Sequence, residues 1–453
     1  MDGHGVVIGA SMAGLSASRV LADRYERVTV LDRDHLPAEP VPRRSVPQGH
    51  HGHIMLVSGM RVLNRLFPGL DDDMIAAGAT RFDTGEHMLV YRFGRRWPAM
   101  STGLDLISAS RPQLEAVIRA RVAALPNVTI RDGVAVGGLT GTDDRVTGVV
   151  LDDGETVPAD LVVDCSGRGA RSDRWLRALG FPAPEQVEIK IGVAYSTRLY
   201  RRSPGQLYGR AAALLLPDPR RERHSGIALP IEGDRWLVAV GGWHLTAIAE
   251  DAASFESAAR ALPDPMLADL LAEAEPVTEP VSYRFPSSRR RRFEDLDRRP
   301  AGYVALGDAI CSFNPIYGQG MTCAAMEAEA LGEALDRHGT ASAELAAGYY
   351  RAAARVIAVP WQFAVGGDFA YPETTGPRPK NVGFTNWYAR TIAQASQLDA
   401  RLNRTFSAVQ QLVEPPAAMF RPGFVAKVLW QTLRRHALWR HTGRRRLSAA
   451  PSR

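Results

Sequence analysis

The stretch YVALGDAICSFNPIYGQGMTCAAME, residues 303–327, holds the residues best suited to chemistry. Asp308 follows Gly307 and offers a carboxylate that can accept a hydrogen bond from a hydroxyl of a sugar or sugar-alcohol chain. Such a charge-assisted bond contributes about 1.5–3 kcal/mol when partly desolvated. Gly318 and Gly320 carry no Cβ, so the backbone around Pro315 and Gln319 can approach a ligand closely. A second set, Gly9, Ser11, Ala13 and Gly14, stands in GASMAG, with Asp32 further along, and a third is the run CSGRG at 165–169. These residue types suit the holding of a polyanionic or electron-rich ligand.

Each set needs a strand before it and, for the first two, a helix after it. Residues 303–306 are apolar and read as a buried strand, and residues 321–331, rich in Ala, Met and Glu, read as a helix. The unpaired N–H groups and the dipole of that helix start favour negative charge. Taken alone, this is also what an ordinary strand–helix corner with a solvated Asp308 looks like. The N-terminus shifts the balance. Residues 5–10 form an apolar strand, 15–24 a helix and 27–34 a second strand ending near Asp32. This βαβ unit has its glycine turn where a dinucleotide's diphosphate would sit and its acid where the ribose would lie. Ser11 stands in place of the second glycine; it crowds the diphosphate by one hydroxymethyl but can donate to a phosphate oxygen. The strand at 159–164 feeds the CSGRG turn, which is expected beside the first one.

A chain of 453 residues calls for two or three domains. Cys165, Cys311 and Cys323 have no metal-type spacing and suggest a reducing compartment, hence a cytoplasmic protein. No signal peptide is expected with a strand beginning near residue 5, and no apolar run reaches the ~20 residues of a membrane span. His50 and His51 end the loop PAEPVPRRSVPQGHHG and His53 follows it, with no Asp, Glu or Cys close by to complete a metal set. The net charge of +6 is concentrated after Glu414, where nine cations and no acid occur, so the body is slightly acidic. That pattern argues against a nucleic-acid groove. It also gives a basic tail whose apolar side (Phe424, Val425, Val428, Leu429, Leu433) is expected to dock on the body, or at most to touch an anionic membrane surface.

Along the chain, residues 48–66 read as turning helical, 91–98 as an edge strand, and Ser110 to Gln113 as a capping box opening a helix that carries Arg111. Residues 127–134 and 146–151 read as strands. The alternation at 188–200 and the hairpin 225–231/235–243 predict an antiparallel substrate sheet. The four arginines 289–292 read as a solvated returning loop. From Ala330 the chain reads as helical, with Ile392, Ala395, Leu398, Leu402, Phe406, Val409 and Val413 on one long amphipathic face.

GASMAGL, the Arg111 helix, DCSGRGARS and above all GDAICSFNPIYGQGM resemble the FAD-dependent monooxygenases of the aromatic-hydroxylase and squalene-epoxidase superfamily. The resemblance is strongest to the flavin-dependent epoxidases of bacterial polyether polyketide biosynthesis, of the lasalocid and monensin type, which VPQGHHGHIM, DLVVDCSGRG and FNPIYGQGM are similar to. It implies an α/β (α+β) fold: a Rossmann-like FAD-binding domain at 1–186 and 299–370, an inserted antiparallel-sheet substrate domain at 187–298, and a C-terminal helical region with a basic tail at 371–453. It implies that Gly9, Ser11, Met12, Ala13 and Gly14 hold the diphosphate of FAD, Asp32 the adenosine ribose, and Arg33, Arg44 and Val134 the adenosine side. Arg111 would contact the phosphate or ribityl region, Gly307 and Asp308 the ribityl chain, and Pro315, Gly318, Gln319, Gly320 and Met321 the flavin ring. No catalytic residue is implied beyond the flavin-face loop of Pro315, Gly318 and Gly320. The implied activity is insertion of one oxygen atom from O2 into an apolar secondary metabolite by way of a flavin hydroperoxide, with alkene epoxidation first. Aromatic hydroxylation and an isoprenoid-type flavin reductase are the alternatives. Electrons would come from NAD(P)H, directly or through a separate reductase, since no second glycine fingerprint is visible. Flavin halogenases need a lysine in the first half, and none precedes Lys190. Cys165 and Ser166, where hydroxylases of this kind carry Asp-Gly, put the control of reduction by nicotinamide in question.

Overall fold

Short apolar runs that are buried on both faces must lie in the middle of a layered sheet. In the computed structural model, which describes residues 3–340 and 342–447 and side chains as far as 434, four such runs and a partly exposed fifth, Val128–Arg131, pair side by side and all parallel. Their order is Tyr303–Ala305, Leu161–Asp164, His4–Ile8, Arg27–Leu31, Val128–Arg131. The chain builds outward from His4–Ile8 in one direction and later returns to its other side. The order therefore reverses beside the carboxyl end of His4–Ile8, the position where open α/β sheets bind ligands. Helices Met12–Ala22 and Gly320–His338 pack together over this sheet and share its apolar core.

A second sheet has eight strands, in the order Cys311–Ser312, Val281–Arg291, Gln186–Arg201, Arg235–Gly242, His224–Ile231, Ala212–Leu216, Met88–Arg92, Arg95–Arg96. All its neighbours are antiparallel except Ala212–Leu216 with Met88–Arg92. Alternation sorts its faces. Trp236, Val238 and Val240 pack under helices Ala252–Arg260 and Met266–Glu273. Leu237, with Ile227 and Leu229, faces the loop at Gly52. The hairpin read at 225–243 is present as His224–Ile231 and Arg235–Gly242.

Other expectations need correction. Residues 48–66 are not one helix: a short turn Pro47–His50 and an extended stretch precede helix Val57–Leu66. The reason is tertiary, because the buried His51 ring is held by Tyr195, Tyr283 and Thr197. The edge strand at 91–98 is a hairpin that turns at Phe93 and Gly94, both at positive φ. The strand at 127–134 stops at Arg131, before the turn at Gly133. The arginine run is no solvated loop. Arg289, Arg290 and Arg291 finish strand Val281–Arg291, and the buried Arg291 donates to the carbonyls of Ala309 and Ala170 at 2.9 and 3.2 Å. The long amphipathic face belongs to two helices, Val382–Ser396 and Ala400–Gln410, with Asp399 capping the second and Leu398 exposed at the break. The last helix, Pro422–Leu447, docks on them through Val428 and Gln431. The side chains of the tail cations from Arg435 onward lie outside the described residues.

Candidate functional site at three glycine turns

The turn at Gly9 and the turn at Cys165 meet at a glycine that leaves no room for a side chain. A Cβ on Gly9, whose φ is +102°, would lie 2.6 Å from the carbonyl oxygen of Cys165. A Cβ on Gly14 would lie 1.7 Å from the carbonyl oxygen of Gly9, which fixes how closely helix Met12–Ala22 approaches its strand. The turn at Gly307 closes on the same point: with φ +69°, its Cβ position is 2.8 Å from Ala13. Gly318, also at positive φ, faces Ile54 of the histidine loop. Helices Met12–Ala22 and Gly320–His338 both start here without a side-chain cap and without an acid in the first turn. Their first N–H groups are therefore available to an anion.

A chain of charged groups runs beneath these helix starts. Arg111 donates to Ser11 Oγ at 3.0 Å, and Ser11 donates to Glu115 at 2.6 Å. Arg43 is buried and donates to Glu115 at 2.8 Å and to Asp32 at 3.3 Å. The other Asp32 oxygen accepts from Ala10 N–H at 2.7 Å. Ser110 caps the Arg111 helix by accepting from Gln113 N–H. Burial above all, and then the Arg111 charge, push His53 down to about 3. The neutral ring can accept from Arg111 at Nε2 (3.1 Å) while Nδ1–H donates to the His51 carbonyl (3.0 Å). His51 is pushed down to about 4 chiefly by burial, and its Nδ1 lies 2.8 Å from Thr197 Oγ1.

Across the site, burial raises the Asp308 carboxyl above its ordinary value, against the pull of Arg111 and Arg168. Beneath it, fully buried Glu327 accepts from Gly307 N–H at 2.7 Å, and burial pushes its carboxyl up to about 8. Asn314 caps the turn Pro315–Tyr317 by accepting from Ile316 N–H, and its own amide donates to buried Asp368 at 2.7 Å. Asp368 also accepts from Trp243 Nε1 at 2.9 Å and Tyr317 OH at 3.3 Å, and burial pushes it up to about 7.

The structure thus gathers Gly9, Ser11, Met12, Ala13, Gly14, Asp32, Arg111, Gly307, Asp308, Pro315, Gly318, Gln319, Gly320 and Met321 around one junction. Val134 lies just beyond, its N–H donating to the Asp32 carbonyl. Arg33 and Arg44 are exposed; it is the neighbour of Arg44, Arg43, that turns inward. Sequence reasoning missed Arg43, Glu115, Asn314 and Asp368. Glu115 alone left a signal, four residues after Arg111 and so on the same helix face. Among the described residues, the buried Arg111 Nε and Gln319 Oε1 at the junction have no protein partner. With the uncapped helix starts, they suit the diphosphate and flavin portions of FAD. A cavity of about 10 Å³ lies between His53, Met55, Arg111 and Met321, walled by methionines whose unbranched side chains adapt readily.

Comparison with known proteins agrees with this geometry. Residues 4–364 match the family described as FAD binding domain. The chain is 36% identical over 400 residues to Protein Rv3254 of Mycobacterium tuberculosis, covering 83% of this chain and 82% of that one. Its fold is similar to PqsL, a probable FAD-dependent monooxygenase from Pseudomonas aeruginosa (TM-score 0.60, 18% identity, 82% of this chain and 98% of that one). It is also similar to a triple mutant of the flavin-dependent brominase Bmp2 (0.65, 15%, 97% and 99%) and to a flavoprotein/dehydrogenase from Cytophaga hutchinsonii (0.66, 14%, 96% and 100%).

Proposed function

The chain belongs to the FAD binding domain family, and from that premise we propose that it is a flavin monooxygenase that places one oxygen atom of O2 into a carbon–carbon double bond of an apolar small molecule. Bound at the junction and reduced with electrons from NAD(P)H, directly or through a separate reductase, FAD supplies the activation of oxygen. The protein's part is to hold and to exclude water. Ser11, Arg111 and the start of helix Met12–Ala22 take the diphosphate, Asp32 the ribose and Asp308 the ribityl chain. The backbone from Gly318 to Met321 offers N–H groups to the ring, where negative charge is stabilised. In this reading residues 1–186 and 299–370 carry the cofactor, 187–298 face the substrate, and 371–453 close the side.

One observation favours an alkene over a phenol. The basic groups at the junction are already engaged: His53 uses both ring nitrogens, His51 is held by Thr197, and both are neutral. His53 has no free ring nitrogen, and burial makes both rings weak bases poorly suited to ionise a phenol, whereas an alkene requires no base. Aromatic hydroxylation stands second, supported by half-buried Arg92, whose charge acts on Tyr317 at the flavin-face turn. The test is single-turnover reaction of the reduced holoenzyme with labelled O2 and candidate olefins. One labelled oxygen in an epoxide is expected. Label on an aromatic ring replaces the alkene by an arene, and an unlabelled product gaining two hydrogens removes the oxygenase reading.

A further inference from the structure

Helix Pro422–Leu447 has two apolar sides, and only one is covered. Val428 and Gln431 are buried against the neighbouring helices. On the other side, Ala426, Leu429, Trp430 and Leu433 recur at the i, i+3, i+4, i+7 spacing of a single helix face. All four point outward, and the three large ones are 54–68% exposed. Phe384 and Trp387 on helix Val382–Ser396 and Phe420 on the preceding turn are 53–60% exposed. Ring contacts through Tyr388 tie those three together. A groove of about 480 Å³, walled by Trp387, Tyr388, Val425 and Leu429, joins them to the last helix. Among the described residues, half of the twelve exposed large apolar side chains fall on these three elements. An exposed patch of that kind marks an interaction surface.

Charge decides what covers it. The sequence of this helix carries Lys427, Arg434, Arg435, Arg440 and Arg444–Arg446 and no acid. Lys427 is spent on Asp399, leaving six cations with no acid in the rest of the chain after Glu414. Against a second copy, the same face would oppose cation to cation. Tryptophan and leucine beside arginine is instead the composition of a helix lying in a headgroup layer rich in anionic lipid. No described helix is long and apolar enough to cross a membrane, so the contact is with one surface.

We propose that this face, Phe384, Trp387, Phe420, Leu429, Trp430 and Leu433 beside the basic run, rests on an anionic lipid bilayer. The test is co-sedimentation of the full-length, flavin-loaded protein with vesicles of phosphatidylcholine alone or with one third phosphatidylglycerol. Binding to the anionic vesicles, at least ten-fold over neutral ones and weakened by salt, is expected. Leu429→Ser/Trp430→Ser/Leu433→Ser should lower it ten-fold or more while keeping the bound-flavin spectrum. If that variant misfolds, Trp430→Ser alone, combined with a blue shift of tryptophan emission in the parent protein on vesicle addition, reads the same contact. No pelleting with anionic vesicles, or equal pelleting with both kinds, overturns the proposal. So does a dimer in light scattering that the triple variant dissociates while vesicles are ignored, since the face then belongs to a second copy.

Discussion

At the residue scale, two carboxyl groups distinguish the proposed holding of the cofactor from holding the fold. Asp308 faces the junction and sits 3.8 Å from where a Cβ on Gly320 would be. Asp308→Ala should weaken FAD by about 1.5–3 kcal/mol, roughly 10- to 100-fold in Kd, because it deletes a charge-assisted acceptor. Recovery of flavin fluorescence on dilution measures this, and an unchanged Kd would remove Asp308 from the site. Asp368 faces inward instead. Burial raises its folded pKa to about 7 from an unfolded value near 3.8. The native state thus holds the proton more tightly, and the stability linked to it is present in full below about pH 4 and is lost as pH rises through about 7. Asp368→Asn keeps an acceptor for Trp243, Asn314 and Tyr317 without the titration. Its melting temperature should fall less between pH 5 and pH 8 than that of the parent; equal falls would place the titrating group elsewhere. Gly9, Gly14 and Asp308 were legible in sequence because each is demanded by a local turn. Arg43 was not, because its pairing with Glu115 joins positions 72 apart that only the fold brings together.

At the element scale, apolar runs announced the parallel strands because burial on both faces leaves little room for anything else. The arginine run misled for the opposite reason. Arg291 is satisfied by the carbonyls of Ala170 and Ala309 and Arg289 pairs with Glu188, partners far away in sequence, while Arg290 and Arg292 pair with the nearby Glu294 and Asp295. Likewise, one apolar periodicity continued across two helices, and only Asp399, a capping residue, marked the break. These C-terminal helices pack around Ile392, Phe406 and Val428, away from the glycine turns. A chain ending at Glu414 should therefore keep the flavin's absorbance spectrum nearly unchanged. Its melting temperature should drop by several degrees, since Val428 and its neighbours leave an apolar cluster exposed, at about 1–3 kcal/mol. Loss of the flavin on this truncation would show that the last helix reaches the site.

At the scale of the whole molecule, the second sheet recruits Met88–Arg92 and Cys311–Ser312 from outside the stretch that reads as its own. The parallel pairing of Met88–Arg92 with Ala212–Leu216 spans more than a hundred residues, and nothing near either strand signals it. The parallel sheet has the same character: its edge strand, Tyr303–Ala305, is separated in sequence from its partner Leu161–Asp164 by five of the second sheet's eight strands. That order has a consequence for biosynthesis. While the ribosome is still making the second sheet, strand Leu161–Asp164 has a bare edge, and the Asp164 carboxylate lacks the Tyr303 hydroxyl that it accepts from at 2.9 Å in the finished protein. At roughly 5–20 residues per second, that interval lasts on the order of ten seconds or more. The proposed cofactor site is complete only when Gly307 to Met321 have emerged, so FAD capture would fall late in translation, after strand Tyr303–Ala305 has covered an edge that would otherwise invite mispairing.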